Sequence, residues 1–140
     1  MSLNNHNAVL DALVASLASA LPARFVQRSL VDPANAATLK LTAGLICLVS
    51  EGGGKFANYR GREGDLGTLN ARLVGFVQVP ENSLAQAVEE AELALLGDLL
   101  TWVGSAAVPG LDVFHPGDWA QSKQLEHPYG WLVLALEIKT

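Results

Sequence analysis

The sequence has little cysteine and little charge. Of its 140 residues one is cysteine, Cys47, and only 16% are charged. A single cysteine excludes a disulfide within the chain, so nothing here indicates an oxidising compartment. Cys47 lies inside an apolar run, where we expect a small buried side chain rather than a reactive nucleophile.

Basic residues and long apolar runs are also scarce. Nine Lys and Arg stand against 14 Asp and Glu, which gives a net charge of −5. Nonspecific nucleic-acid binding needs clustered Lys and Arg, so we expect no nucleic-acid partner. No apolar run approaches the roughly 20 residues of a membrane span, and Met1–Asn7 lacks the basic start of a signal peptide. We therefore expect no membrane insertion and no secretion signal.

Apolar residues, in contrast, make up half of the chain. A chain of this length fits one domain, here residues 1–140, and buries roughly 68–70% of the surface that its unfolded form exposes. Apolar surface that remains outside is most simply covered by a partner subunit. We expect a single self-associating domain; the alternative is only that the core is large.

The first half of the chain predicts one helix and two strands. Leu10, Leu13, Val14, Leu17 and Leu21 recur at helical spacing, after a cap at Asn4, Asn5 or Asn7 and before a stop at Pro22. Residues 23–31 alternate loosely and predict a short strand near an edge, and residues 34–39 predict one or two helical turns. Gly44–Val49 is continuously apolar, which is typical of a strand buried on both faces.

The second half predicts a strand, a long helix and further strands. Asn70–Val79 is followed by a capping box at Ser83 and an apolar stripe that continues to Val103, with Glu92 among the acids expected to face water. Leu111–Phe114 is short and strand-like, and Tyr129–Ile138 ends the chain with an apolar strand. This order predicts an α+β fold, an α/β sandwich whose mixed four- to five-stranded sheet packs against the N-terminal helix and the long helix, about residues 83–103.

Two segments, residues 50–68 and 115–128, lack any helical or strand period. For the first, the alternative is a hairpin extension with Phe56 and Tyr59 on its arms. Long segments of this kind are usually functional or disordered. Exposed aromatic and arginine side chains are enriched at protein interfaces, so these segments are the expected partner-binding parts of the chain. For Trp119 the alternative is that it caps the core. The candidate partner-binding residues are Lys55, Phe56, Tyr59, Arg60, Arg62 and Trp119.

The sequence contains no convincing catalytic or metal-binding motif. Gly52-Gly53-Gly54-Lys55 resembles a phosphate-binding loop, but Val49 and Phe56 occupy the positions where that motif needs glycine and Ser or Thr. The histidines, His6, His115 and His127, lack metal-ligand spacing. We expect no enzyme activity, no cofactor and no metal. The alternative is a small enzyme or ligand-binding domain with its site under the two aperiodic segments.

Four parts of the chain carry a resemblance to a known family. They are the first helix ending in Leu21-Pro22, the strand Gly44–Val49 followed by Glu51-Gly52-Gly53, the strand Asn70–Val79 running into the helix Ser83–Val103, and the stretch Phe114–Leu136. In this layout, which spans nearly the whole chain, the sequence resembles the lambda-type tail terminator proteins of long-tailed bacteriophages and prophages.

The resemblance implies a virion structural protein that is assembled in the bacterial cytoplasm. Such a protein forms a homohexameric ring that caps the tail tube and offers its opposite face to the head connector. One departure concerns residues 50–68, whose three basic and three acidic side chains do not provide strong electrostatic steering onto the tube. Another small neck or baseplate adaptor of the virion remains an alternative.

Overall fold

The computed structural model describes residues 5–54, 67–105, 108 and 113–139, without the side chains of residues 113–115. The helices and strands, in chain order, are α1 (His6–Ala20), β1 (Phe25–Gln27), a 3-10 turn (Pro33–Asn35), α2 (Thr38–Ala43), β2 (Leu45–Gly54), β3 (Thr68–Gln78), α3 (Ala85–Ser105), β4 (Val113–Gln121) and β5 (Tyr129–Lys139).

The strands form one mixed sheet in the order β1-β2-β3-β5-β4. β1 runs parallel to β2, and the other three neighbouring pairs are antiparallel. β1 and β4 are therefore the two edge strands, and β3 and β5 pair along their whole lengths at the centre. The α+β prediction with a mixed sheet, an N-terminal helix and one long helix is confirmed.

The sheet has two faces that are covered to different extents. α1 and α3 pack on the first, which we call the helical face, and the side chains of this main core come from both helices and from β2, β3 and β5. A smaller cluster on the other side, the outer face, joins Leu41 of α2 to Leu45, Cys47 and Phe76. The short helix α2 thus covers the outer face near β2, and no described element covers the part formed by β5 and β4.

The first helix forms as its sequence predicts. Asn5 is the N-cap, and its Oδ1 accepts a hydrogen bond of 2.8 Å from the backbone N–H of Ala8. The helix ends at Ala20, before Pro22. Asp11 lies beyond the first turn, so it does not act on the helix N-terminus, and it pairs with Arg28 at 3.0 Å.

The aperiodic segment at residues 50–68 proves to be strand at both of its ends. β2 continues to Gly54 and β3 begins at Thr68, with an irregularity in the pairing between Ser50 and Gly52. Gly53 pairs with Leu69, and a Cβ at Gly53 would overlap the carbonyl oxygen of Thr68. Glycine erases the alternation of a strand, which explains why the paired arms of this hairpin lack a visible period.

The prediction of an irregular segment over residues 115–128 was also wrong in its first half. β4 reaches Gln121 and pairs with β5, with a register shift between Pro116 and Trp119. Proline lacks a backbone donor and is tolerated at edges and bulges, and the described side chains of residues 116–120 are exposed. An edge strand of this kind needs no apolar alternation, so its sequence lacks the pattern that predicts a strand.

The long helix begins two residues later than predicted, at Ala85, and the capping box does not form. Ser83 Oγ donates instead to the carbonyl oxygen of Pro80 at 2.5 Å, and Gln86 Nε2 donates to Glu90. Leu84, at the start of the predicted apolar stripe, is 78% exposed because it precedes the helix.

Candidate assembly surfaces

The outer face of the sheet carries an uncovered apolar groove of about 470 Å³. Along β5 the side chains alternate: Leu132 and Leu134 are buried under the helices, and Val133 and Ala135 are half-buried on the outer face. The middle of β5, from Trp131 to Ala135, is thus apolar on both faces, although described residues cover only one of them. The groove is lined by Arg72, Asp118, Trp119, Ala120, Trp131, Val133 and Ala135.

An ion pair borders this groove. Arg72 Nε of β3 lies 2.5 Å from Glu51 Oε2 of β2, and the Arg72 side chain is 52% exposed. Exposed ion pairs contribute only about 0–1 kcal/mol to stability. A partner that separates Arg72 from Glu51 would therefore cost the subunit little stability, and both charges lie at the rim of the groove.

The β4 edge adjoins the groove. Among the described strands β4 pairs only with β5, so the outer side of its backbone has no strand partner. An unpaired edge is a template for association with another chain. Trp119 on this strand is 46% exposed and lines both the outer groove and a second depression shared with Glu89 and Lys123. Trp119 therefore lies at the rim and does not cap the core.

Only one of the candidate partner-binding residues lies in the described part of the chain. That residue is Trp119, which the sheet places at its β4 edge. The other five lie outside the described residues, on the connection between the arms of the β2–β3 hairpin. They are Lys55, Phe56, Tyr59, Arg60 and Arg62.

A buried carboxylate, Glu92, was missed by the sequence analysis, which assigned it to the solvent side of α3. Its side chain is completely inaccessible. Oε1 accepts from Gln121 Nε2 at 3.0 Å, and Oε2 accepts from the backbone N–H of Trp131 at 2.9 Å and from Ser122 Oγ. The signal was its place in the sequence, since it lies four residues after Val88 and so falls inside the apolar stripe.

Three donors satisfy this carboxylate, which links α3 to the turn between β4 and β5. A buried carboxylate that accepts several hydrogen bonds is stabilised where an isolated one would be costly. Gly130 makes room for it, because a Cβ there would meet Glu92 Oε2 and the Val88 side chain. Glu92 has no access to solvent, and its hydrogen bonds hold β5 and the β4–β5 turn against α3.

A serine and a histidine also approach each other near the start of α3. Ser83 Oγ lies 3.2 Å from His127 Nε2. Ser83 Oγ also donates to the carbonyl oxygen of Pro80 at 2.5 Å. These two contacts join the turn at Pro80 to His127, in the segment that leads into β5.

Three further features bear on a reactive or metal-binding site. Burial raises the pKa of the Cys47 thiol, which keeps it in the unreactive neutral form. A cleft of about 370 Å³ between α1 and the glycine arms includes Arg28, whose guanidinium donates to Asp11 and Asn7. Over residues 5–54, 67–105 and 113–139 the structure holds no group of three or more His, Cys, Asp or Glu placed to bind a metal ion.

In the described part of the chain no helix combines the length and the apolar character needed to cross a membrane.

Comparisons with known proteins add no assignment. Neither the models of known protein families nor the curated proteins contain a match to this sequence. The function must therefore be inferred from the surfaces described above.

Proposed function

We propose that this chain is a structural protein of a bacteriophage or prophage virion, of the tail terminator type. In this proposal it assembles as a ring that closes the tail tube and offers its opposite face to the head connector. The observation that carries the proposal is the uncovered outer face, where Val133, Ala135 and part of Trp131 line an open groove beside the exposed β4 edge.

The composition of this face supports assembly. An antiparallel sheet with one solvated face normally alternates apolar and polar side chains. The middle of β5, from Trp131 to Ala135, instead places apolar residues on both faces, a pattern of strands buried on both sides, and Glu137 and Lys139 follow on the outer face. Apolar patches of this kind on soluble proteins mark interaction surfaces. A partner that covers the groove would bury the outer apolar side chains of β5, such as Val133 and Ala135.

The hairpin formed by β2 and β3 supports a docking role. Its arms pair from Leu45 opposite Phe76 as far as Gly54 opposite Thr68, whereas β1 pairs only with the first three residues of β2. The far part of the hairpin therefore extends beyond the region that β1 covers. Its arms connect through residues 55–67, which include five of the candidate partner-binding residues.

A neck or baseplate adaptor would use the same kinds of surface, and it differs from a tail terminator in the partner that it binds. The direct test adds the purified protein to tail tubes from a phage whose gene cluster encodes this chain. Electron microscopy should show protein at one end of each tube. Binding to a baseplate or neck instead of the tube end would support the adaptor, and no binding to any virion part would contradict both.

A matched pair of variants links that test to the outer face. Val133→Glu places a charge in the groove, whereas Ala15→Glu places the same charge on the exposed side of α1. We expect Ala15→Glu to cap tubes like the wild type and Val133→Glu to lose capping while keeping its fold. Normal capping by Val133→Glu would show that the outer face is not the docking surface.

A further inference from the structure

Exposed apolar side chains lie on β1 and on the segments that follow it in the chain, together with a positive charge. Phe25, Leu30 and Leu39 are 36%, 58% and 74% exposed. Lys40 is also exposed, and its Nζ lies 5.8 Å from the centroid of the Phe25 ring. We call these four residues the β1 flank.

The opposite edge carries a second patch with negative charge. Trp119 of β4 is 46% exposed, and Leu93 and Leu100 of α3 are 42% and 40% exposed. Glu90 and Asp118, both exposed, accompany them. We call these five residues the β4 flank. The helix that forms half of it contains no Lys or Arg.

Neither acid of the β4 flank is neutralised within the described part of the subunit. Glu90 accepts a hydrogen bond of 2.8 Å from Gln86 but pairs with no described cation. Asp98, farther along the same helix, differs in this respect because Arg24 holds it at 2.8 Å. Lys123 also lies beside Trp119, in the depression that they share with Glu89, so the charge around the apolar centre of the β4 flank is mixed, with the acids in excess.

The two flanks lie at opposite ends of the strand order, so one subunit cannot join its own flanks. The sheet pairing also makes β1 and β4 run in opposite directions: β1 is parallel to β2, and three antiparallel steps follow. A second copy placed edge to edge in the same orientation therefore meets the first with antiparallel strands, the arrangement that pairs most readily.

We propose that the β4 flank of one copy binds the β1 flank of the next copy. Apolar surface meets apolar surface, and the charge of Lys40 faces Glu90 and Asp118. A symmetric contact between two β4 flanks would instead place acids against acids, and two β1 flanks would place Lys40 against Lys40. Charge thus selects a head-to-tail contact, which repeats from copy to copy and closes into a ring when the rotation permits.

This inference deepens the proposed function, because it names the surfaces through which ring subunits meet. Its test uses two variants that each damage one flank. Leu39→Glu opposes the acids of the neighbouring flank, and Leu93→Ser with Leu100→Ser removes apolar contact from the β4 flank. All three leucines are substantially exposed, so both variants should fold, which circular dichroism checks.

Sedimentation velocity then measures association. We expect the wild type and the control Ala15→Glu to form oligomers larger than a dimer, and each flank variant alone to stay monomeric. An equal mixture of the two variants should form a heterodimer and nothing larger, since each contributes one intact flank. A mixture that remains monomeric, or a single variant that dimerises alone, would overturn the head-to-tail contact.

A milder change tests the same interface in case the flank variants misfold. Lys40→Glu alters an exposed residue that carries the positive charge of the β1 flank, and it should weaken association about tenfold. Unchanged association would contradict the charge pairing. If the wild type forms rings and the flank variants still do, this interface is wrong but the proposed function stands. Rings that assemble through the two flanks but do not bind tail tubes would support the interface and contradict the proposed function.

Discussion

The backbone N–H of Trp131 donates a hydrogen bond of 2.9 Å to Oε2 of Glu92, which joins the middle of α3 to the start of β5. The side chain of Trp131 lines the outer groove, whereas Glu92 lies buried on the helical face. One carboxylate therefore connects the helical core to the strand that forms the candidate docking surface. Its position fixes where β5 enters the sheet.

Removal of this carboxylate should destabilise the protein strongly. Glu92→Ala leaves the N–H of Trp131 and the side chains of Gln121 and Ser122 without their acceptor. Each unsatisfied buried group costs about 1–3 kcal/mol, although Gln121 is partly exposed and can recover water. We expect a total loss of about 3 kcal/mol in urea unfolding. Glu90→Gln, on the exposed side of the same helix, is the control and should change stability by under about 0.5 kcal/mol. A similarly small effect of Glu92→Ala would contradict the structural role.

The buried side of α3 should be equally sensitive. Leu95→Ala and Leu99→Ala each remove a completely buried side chain and should cost about 2–5 kcal/mol. Leu93→Ala and Leu100→Ala remove side chains that are about 40% exposed, so they should cost under about 1 kcal/mol in the monomer. Thermal or urea unfolding of the four variants measures the contrast. Equal losses on both sides of the helix would mean that α3 packs differently.

Gly75 provides an independent check of the packing between β3 and the buried side of α3. A Cβ at this position would overlap Cδ2 of Leu95, because β3 and α3 approach closely there. Gly75→Ala should therefore cost about 1–3 kcal/mol through overpacking. The double variant with Leu95→Ala should cost less than the sum of the two single changes, because the smaller residue 95 makes room. If the two losses of stability simply add, residues 75 and 95 are not in contact.

The connection between the hairpin arms should be dispensable for folding but not for docking. Replacing residues 55–67 by a two-residue Asn-Gly turn keeps the pairing of Gly54 with Thr68. Closing a hairpin with a short turn is favourable, so unfolding stability should stay within about 1 kcal/mol of the wild type. Tube capping should be lost. A variant that still caps tubes would assign docking to other residues.

Hydrogen exchange should distinguish free from assembled subunits at the β4 edge. Strand residues such as 45–47 and 132–134 should exchange slowly in both states, because they are paired on both sides. Amides of residues 119–121 that do not pair with β5 should exchange quickly in dilute protein and slowly after self-association. No change at residues 119–121 between dilute and assembled protein would mean that the edge stays open.

Much of the fold could be predicted because the central elements carry strong patterns. The stripe from Leu10 to Leu17 matches α1, and the apolar runs Gly44–Val49 and Tyr129–Ile138 fall within or beside the central strands β2 and β5. Burial on one or both faces dictates these patterns directly. Each prediction of this kind needed only residues that are close in the chain.

The missed features depend on distant contacts or on edges. Glu92 looked solvent-facing because acids favour water, and only its meeting with Gln121 and Trp131, about 30 to 40 residues away, makes burial favourable. β4 lacks alternation because an edge strand with Pro116 exposes both of its faces. Ser83 had the spacing of a capping residue, but its hydroxyl is taken by Pro80. Such competition between partners is not visible in local sequence.

The central claim is that this chain acts by assembling with copies of itself, and sedimentation velocity over a wide concentration range tests it most directly. The account predicts a discrete oligomer of more than two copies that becomes more populated with concentration, and that Leu39→Glu abolishes. A wild-type protein that sediments as a monomer at every concentration up to the millimolar range would contradict it.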